Sequence, residues 1–180
     1  MSAQVFPGRI NTAETAACQA EPLRASARSG AELLATALCD AGVEIVFGYP
    51  GGANLELFDA LRAQGMRCVR TEHEQGAAHA AAGYARATGR VGVCLATSGP
   101  GATNLVTGIA DANSDSVAIL AITGNVATAL LGRNAFQEVD IVSIVQPITK
   151  QAWQVKTPEI IPDLVVEALA LAAGPRPGPV

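Results

Sequence analysis

Val91-Gly92-Val93-Cys94-Leu95-Ala96-Thr97-Ser98-Gly99-Pro100-Gly101-Ala102-Thr103-Asn104 decides how this chain is read. Residues 91–97 are apolar and strand-like without a clean alternation, as in a parallel strand covered on both faces. Ser98-Gly99-Pro100-Gly101 then turns the chain into a helix over about 102–112. A buried strand, a glycine-rich turn and a helix make half of a βαβ unit.

The same grammar extends in both directions. Upstream, Ser29 and Glu32 have capping-box spacing, and Leu33, Leu34, Ala37, Leu38 and Ala41 share one helical face that ends at Gly42. A β-type run over 43–47 leads into Gly48-Tyr49-Pro50-Gly51-Gly52, a helix over about 54–64 and a strand over 67–71. An Ala-rich helix then runs from about 75 to 87 and stops at Gly89. Downstream, residues 117–123 read as a strand, and the polar stretch 125–140 has no clear period and suits a functional loop. A short helix near Ile141, a strand over 151–155 and a helix opened by Thr157-Pro158 and ended at Gly174 complete the series. Residues 174–180, rich in Gly and Pro, read as the lead-in to a further strand that the 180 residues do not complete.

This alternation predicts an α/β fold: a doubly wound, mostly parallel sheet with helices on both faces. It occupies residues 29–180 and follows a loosely ordered extension over 1–28, which lacks the pattern of a secretory signal. Hydrophobic residues make up 49% and charged residues 16%, with a net charge of −4, so neither a disordered tail nor a nucleic-acid binder is expected. No apolar run reaches the ~18 residues of a membrane span. Cys18, Cys39, Cys68 and Cys94 form no CxxC pair, and with two histidines in the chain no metal site is expected. They read as small reduced hydrophobes, which suits a cytoplasmic protein.

In open α/β sheets ligands sit at the carboxyl ends of strands. The segments there are 48–53, Glu72-His73-Glu74-Gln75, 98–104 and Gly124-Asn125. The glycine-rich turns permit close backbone approach to a ligand, or are simply tight strand-to-helix turns. The Gly99 to Asn104 stretch resembles GxGxxG but ends in Asn, and no acidic residue closes the next strand, which disfavours a dinucleotide site. Glu74 is either a first-turn acid facing the helix dipole or a partly desolvated proton-sharing group. His73 and His79, six apart, share no metal-binding face.

Five motifs occur in order: Phe47-Gly48-Tyr49-Pro50-Gly51-Gly52-Ala53, His73-Glu74-Gln75-Gly76-Ala77-Ala78-His79, Gly83-Tyr84-Ala85-Arg86-Ala87-Thr88-Gly89, Thr97-Ser98-Gly99-Pro100-Gly101-Ala102-Thr103-Asn104 and Ala135-Phe136-Gln137-Glu138. Together they resemble the N-terminal, pyrimidine-binding domain of thiamine-diphosphate enzymes, and among these the acetolactate synthase large subunit most. The resemblance implies that Glu74 is catalytic, hydrogen-bonding the cofactor's aminopyrimidine so that its imino tautomer can take the thiazolium C2 proton. It implies further that Tyr49, Pro50, Gly51, Gly52, Ser98, Gly99 and Asn104 bind the cofactor region. Phe136 and Gln137 would line the substrate pocket, with Lys150 near the substrate channel. The implied reaction condenses pyruvate with a second 2-oxo acid and releases CO₂, in branched-chain amino acid biosynthesis. Mg²⁺, held by a GDG-type motif, and FAD are implied only through further domains that these 180 residues do not contain, so the chain alone would be inactive. A homodimer or homotetramer sharing the cofactor across its interface, and a regulatory small subunit, are implied partners. Asn125 departs from the family's usual Gln. The rival readings are another thiamine-diphosphate decarboxylase, carboligase or acetyltransferase, and a non-catalytic fragment that only dimerises.

Overall fold

Along residues 92–96 successive side chains point to opposite sides, as the two-residue period of a strand dictates. Val93 and Leu95 enter one core, Cys94 and Ala96 another. In the computed structural model, which describes residues 28–180, this stretch is the strand β3 (Gly92–Ala96), buried at every position. It pairs in parallel with β1 (Ile45–Gly48) and β4 (Ile119–Thr123), and β1 pairs in parallel with β2 (Arg67–Arg70). The order is therefore β2-β1-β3-β4. The chain steps outward from β1 to β2, then returns over β1 to β3. The loops after β1 and β3 consequently diverge, and the crevice between them is the topological switch point.

Helices cover both faces, as the apolar strands require. On one side lie α1 (Gly30–Asp40), α2 (Leu55–Ala63) and α7 (Ile161–Ala173), with Leu38, Leu61, Val46, Val93 and Leu95 in the core between them. On the other lie α3 (Glu74–Thr88) and α5 (Val106–Ser114), whose core is largely alanine: Ala77, Ala78, Ala81, Ala82 and Ala112. The capping box forms as expected, with Ser29 Oγ accepting the Glu32 N–H at 3.2 Å and Glu32 Oε2 accepting the Ser29 N–H at 2.7 Å.

Four expectations need correction. The helix expected over 102–112 is two, α4 (Pro100–Thr103) and α5, broken at Asn104–Leu105 where Leu105 N–H bonds back only three residues, to Ala102 O. Thr157-Pro158 does not open the last helix. Pro158–Ile160 is a 3-10 turn, and α7 begins three residues later because Pro162, lacking an N–H, restarts the ladder there. Residues 151–155 form no strand, since the edge of β4 is met instead by Pro179 and Val180. Val180 N–H donates to Ile119 O at 3.0 Å and its carbonyl accepts from Ala121 at 2.8 Å, so the 174–180 stretch does reach the sheet in parallel. Finally, Cys39 is disulfide-bonded and not a reduced thiol, while Cys68 and Cys94 are free. Spacing along a chain says nothing about which sulfurs meet. Cys18 and the extension read at 1–28 lie outside the described residues, apart from Arg28. Among the described residues no helix is long and apolar enough to cross a membrane.

A remaining helix, α6 (Ile141–Val145), is capped by Asp140, whose oxygens accept the Ser143 N–H at 3.2 Å and its hydroxyl at 2.6 Å. These bonds hold the Asp140 carboxyl below the usual range. A cavity of about 310 Å³ lies between β4, α6, α7 and the extended residues Trp153 and Val155.

Candidate functional site

Glu74 is the first residue of α3, directly after the turn that leaves β2. His73 caps the helix, its Nδ1 accepting the Gln75 N–H at 3.1 Å, so the chain enters α3 with Glu74 already turned inward. Glu74 is 7% exposed. Burying a carboxylate demands partners. Asn104 Nδ2 donates to its Oε2 at 3.0 Å, across 30 residues of sequence. The break between α4 and α5 is thus at the residue whose side chain reaches Glu74. Ion pairs among the described residues lie elsewhere and bring no cation to this carboxylate.

Two glycine-rich turns close over this point. A Cβ on Gly101 would stand 3.1 Å from Glu74 Oε1 and 2.6 Å from Thr97 Cγ2. A Cβ on Gly51 would stand 2.6 Å from Thr97 Cβ. Thr97 is therefore clasped between the turn after β1 and the turn after β3, and its Oγ1 also accepts the Ala53 N–H at 3.2 Å. Asn54, 3% exposed, shapes the first turn: its Oδ1 accepts the Gly51 N–H at 2.7 Å and its Nδ2 donates to Tyr49 O at 3.2 Å. Tyr49 carries the Arg70 guanidinium 5.6 Å from its ring centroid.

Gly99 is held by its backbone, at φ 58° and ψ −119°, a region that only glycine occupies freely. A Cβ there would also meet Gln137 O at 2.6 Å and Gln137 Cα at 2.8 Å. The 125–140 loop therefore rests on the turn after β3, and Gln137 reaches the crevice by its backbone. Its neighbour Phe136 is 88% exposed. Ser98 is buried and its carbonyl accepts the Gly101 N–H at 3.2 Å.

The structure thus brings together Glu74, Asn104, Gly51, Ser98, Gly99 and Gln137, with Tyr49, Pro50 and Gly52 in the adjoining turn. Lys150 is engaged elsewhere. Its Nζ donates to Leu171 O, at the C-terminal end of α7, and, at 2.8 Å, to Arg176 O in the segment that follows the helix. Asn125 accepts its neighbour Val126's N–H through Oδ1 at 2.8 Å. Thr97 and Asn54 were missed as site organisers. An Asn two residues after the Gly51-Gly52 pair was the available signal for the second, because Asn side chains bond local backbone. Among the described residues no group of three His, Cys, Asp or Glu could hold a metal.

These features define a class: a parallel α/β domain with a ligand crevice at its switch point, floored by a buried carboxylate. Residues 28–144 match the family described as "Thiamine pyrophosphate enzyme, N-terminal TPP binding domain". The chain belongs to that family. It is 56% identical over 153 residues to the acetolactate synthase large subunit of Corynebacterium glutamicum, covering 84% of this chain and 24% of that protein. It is 54% identical over 153 residues to the isozyme 3 large subunit of Escherichia coli (84% and 27%) and 55% identical over 156 residues to the acetolactate synthase of Arthrospira platensis (84% and 27%). The chain spans about a quarter of the length of the curated relatives it matches.

Proposed function

We propose that this chain is the cofactor-binding N-terminal domain of an acetolactate synthase, acting on pyruvate and a second 2-oxo acid. The observation that carries the reading is Glu74: a buried carboxylate at a switch-point crevice, oriented by Asn104 and covered by a glycine. The residues fit thiamine diphosphate. A carboxylate with no cationic partner can share a proton with a ring nitrogen, and Gly52, whose Cβ direction is open, lets backbone approach a flat ring. When bound, the cofactor supplies the electron sink that lets a 2-oxo acid lose CO₂ and condense with a second.

The chain's own part is proton control and shielding. Asn104 fixes one carboxylate oxygen, Oε2, leaving Oε1 beneath Gly101 to hold or release a proton toward the ligand. Tyr49, Pro50, Gly51 and Gly52 form one wall, and Ser98, Gly99 and Asn104 the other. Gln137, with Phe136 beside it, faces the substrate side. Lys150 completes the set near the substrate channel, its ammonium held by Leu171 O and Arg176 O. Magnesium and FAD would be held by further domains of the whole enzyme. A homodimer or homotetramer sharing the site, and a regulatory small subunit, complete the reading, whose cytoplasmic setting follows from the proposed biosynthetic role and not from the cysteines.

Glu74→Gln tests it in the complete enzyme. Size and one acceptor persist, but the proton can no longer be shared. C2 hydrogen–deuterium exchange of bound thiamine diphosphate should slow by about 10²–10⁴-fold, the usual span of an acid–base group. Exchange at the parent rate would reduce Glu74 to a helix-start acid.

A further inference from the structure

Residues 132–138 fold into a turn that their own backbone does not favour. Gly132 (φ 77°), Asn134 (φ 53°) and Gln137 (φ 60°) all lie in the left-handed region, and two of the three carry side chains. Something must hold the turn. Glu138 does so: its Oε1 accepts the Gly132 N–H, and its Oε2 accepts the Ala135 N–H at 2.9 Å. Its own N–H donates to Ala135 O at 3.0 Å. The carboxylate thus ties both ends of the turn while its backbone closes the middle.

We propose that Glu138 is a positioning residue for the crevice: its carboxylate locks the 132–138 turn and so holds the backbone of Gln137 against Gly99 and fixes where Phe136 stands. The path is short. Gln137 is bonded directly to Glu138, and Gln137 Cα would lie 2.8 Å from a Cβ on Gly99, in the turn after β3. The Ala135 and Gly132 N–H groups also keep the carboxyl below its usual range, so the lock is ionised at neutral pH. The geometric part stands on the turn alone, and its effect on substrate rests on the function proposed above.

Two variants and two readouts test it. On the 180-residue chain, amide exchange by NMR should quicken about tenfold or more at Gly132 and Ala135 in Glu138→Ala, and the Gln137 and Gly99 resonances should move. Glu138→Gln keeps one carbonyl acceptor and should recover part of the protection. The melting temperature should barely change, because the turn lies outside both cores. Unmoved Gln137 and Gly99 signals in Glu138→Ala overturn the proposal. In the complete enzyme, the same variant should raise KM for the 2-oxo acid about 10- to 100-fold while cofactor C2 exchange stays at the parent rate. A loss confined to kcat with KM unchanged also overturns it. If the parent enzyme shows no dependence on thiamine diphosphate, the site reading falls, and the amide measurements still decide the role of Glu138.

Discussion

The two faces of the sheet are packed by opposite means. Under α1, α2 and α7 the core is made of large side chains, with Leu38, Leu61 and Leu95 fully buried. Under α3 and α5 it is made largely of alanines and of backbone in near contact, with Leu105, Ile109 and Ile119 beside them. A Cβ on Gly92 would lie 2.0 Å from Ala81 O, and one on Gly108 would lie 2.4 Å from Ala78 Cβ. The first face gains stability from the apolar area it removes from water. The second gains position: with no long side chains between them, α3 and β3 cannot slide or tilt independently. Glu74 opens α3, so the packing of the alanine face sets where the carboxylate sits.

The largest effect should come from the aliphatic face. Leu38→Ala or Leu61→Ala removes a fully buried side chain and should cost about 2–5 kcal/mol, read from urea denaturation midpoints. The Glu74–Asn104 contact should survive, because neither leucine touches α3's start. The alanine face should respond to addition, not deletion. Gly92→Ala forces a methyl into a backbone carbonyl that cannot rotate away, and should cost toward the upper end of about 1–3 kcal/mol. It should also displace α3, shifting the Asn104 side-chain amide signals. A neutral Gly92→Ala would show that the two faces do not differ as described.

Much of this was legible in the sequence, for definite reasons. Three of the four strands are short apolar runs bounded by turns, the form a parallel sheet buried on both faces takes, while the edge strand β2 reads Arg-Cys-Val-Arg. Glu74 at a strand's carboxyl end followed from the alternation alone. What escaped depends on contacts distant in sequence. The break at Asn104 exists because its side chain turns to Glu74, 30 residues earlier, and no local pattern records that. Residues 151–155 have strand composition, but pairing depends on which segment reaches the β4 edge, and Pro179 and Val180 do. The resemblance puts Lys150 near the substrate channel, and its ammonium bonds Leu171 O and Arg176 O, contacts 21 and 26 residues away that no local pattern records. Gln137 meets Gly99 through backbone atoms, which a reading of side chains does not see.

The smallest effect should sharpen the comparison most. Outside the alanine face, Arg86 on α3 reaches two carboxylates linked to α5, Asp115 at 2.6 Å and Asp111 at 3.5 Å. It looks like a clamp holding the two helices together. All three side chains are roughly half exposed, however, so water and salt screen the attraction and the long side chains lose rotamer freedom in forming it. If the alanine and glycine contacts beneath do the holding, Arg86→Met should cost no more than about 1 kcal/mol. That loss should fade as salt rises, since a screened pair has less to give up. The measurement is a pair of urea titrations of parent and variant, at low and at high salt. A loss of twice that size that fades as salt rises would mean that the outer ion pairs hold α3 in place. The position of Glu74 would then depend on surface charge more than on the close packing of small residues.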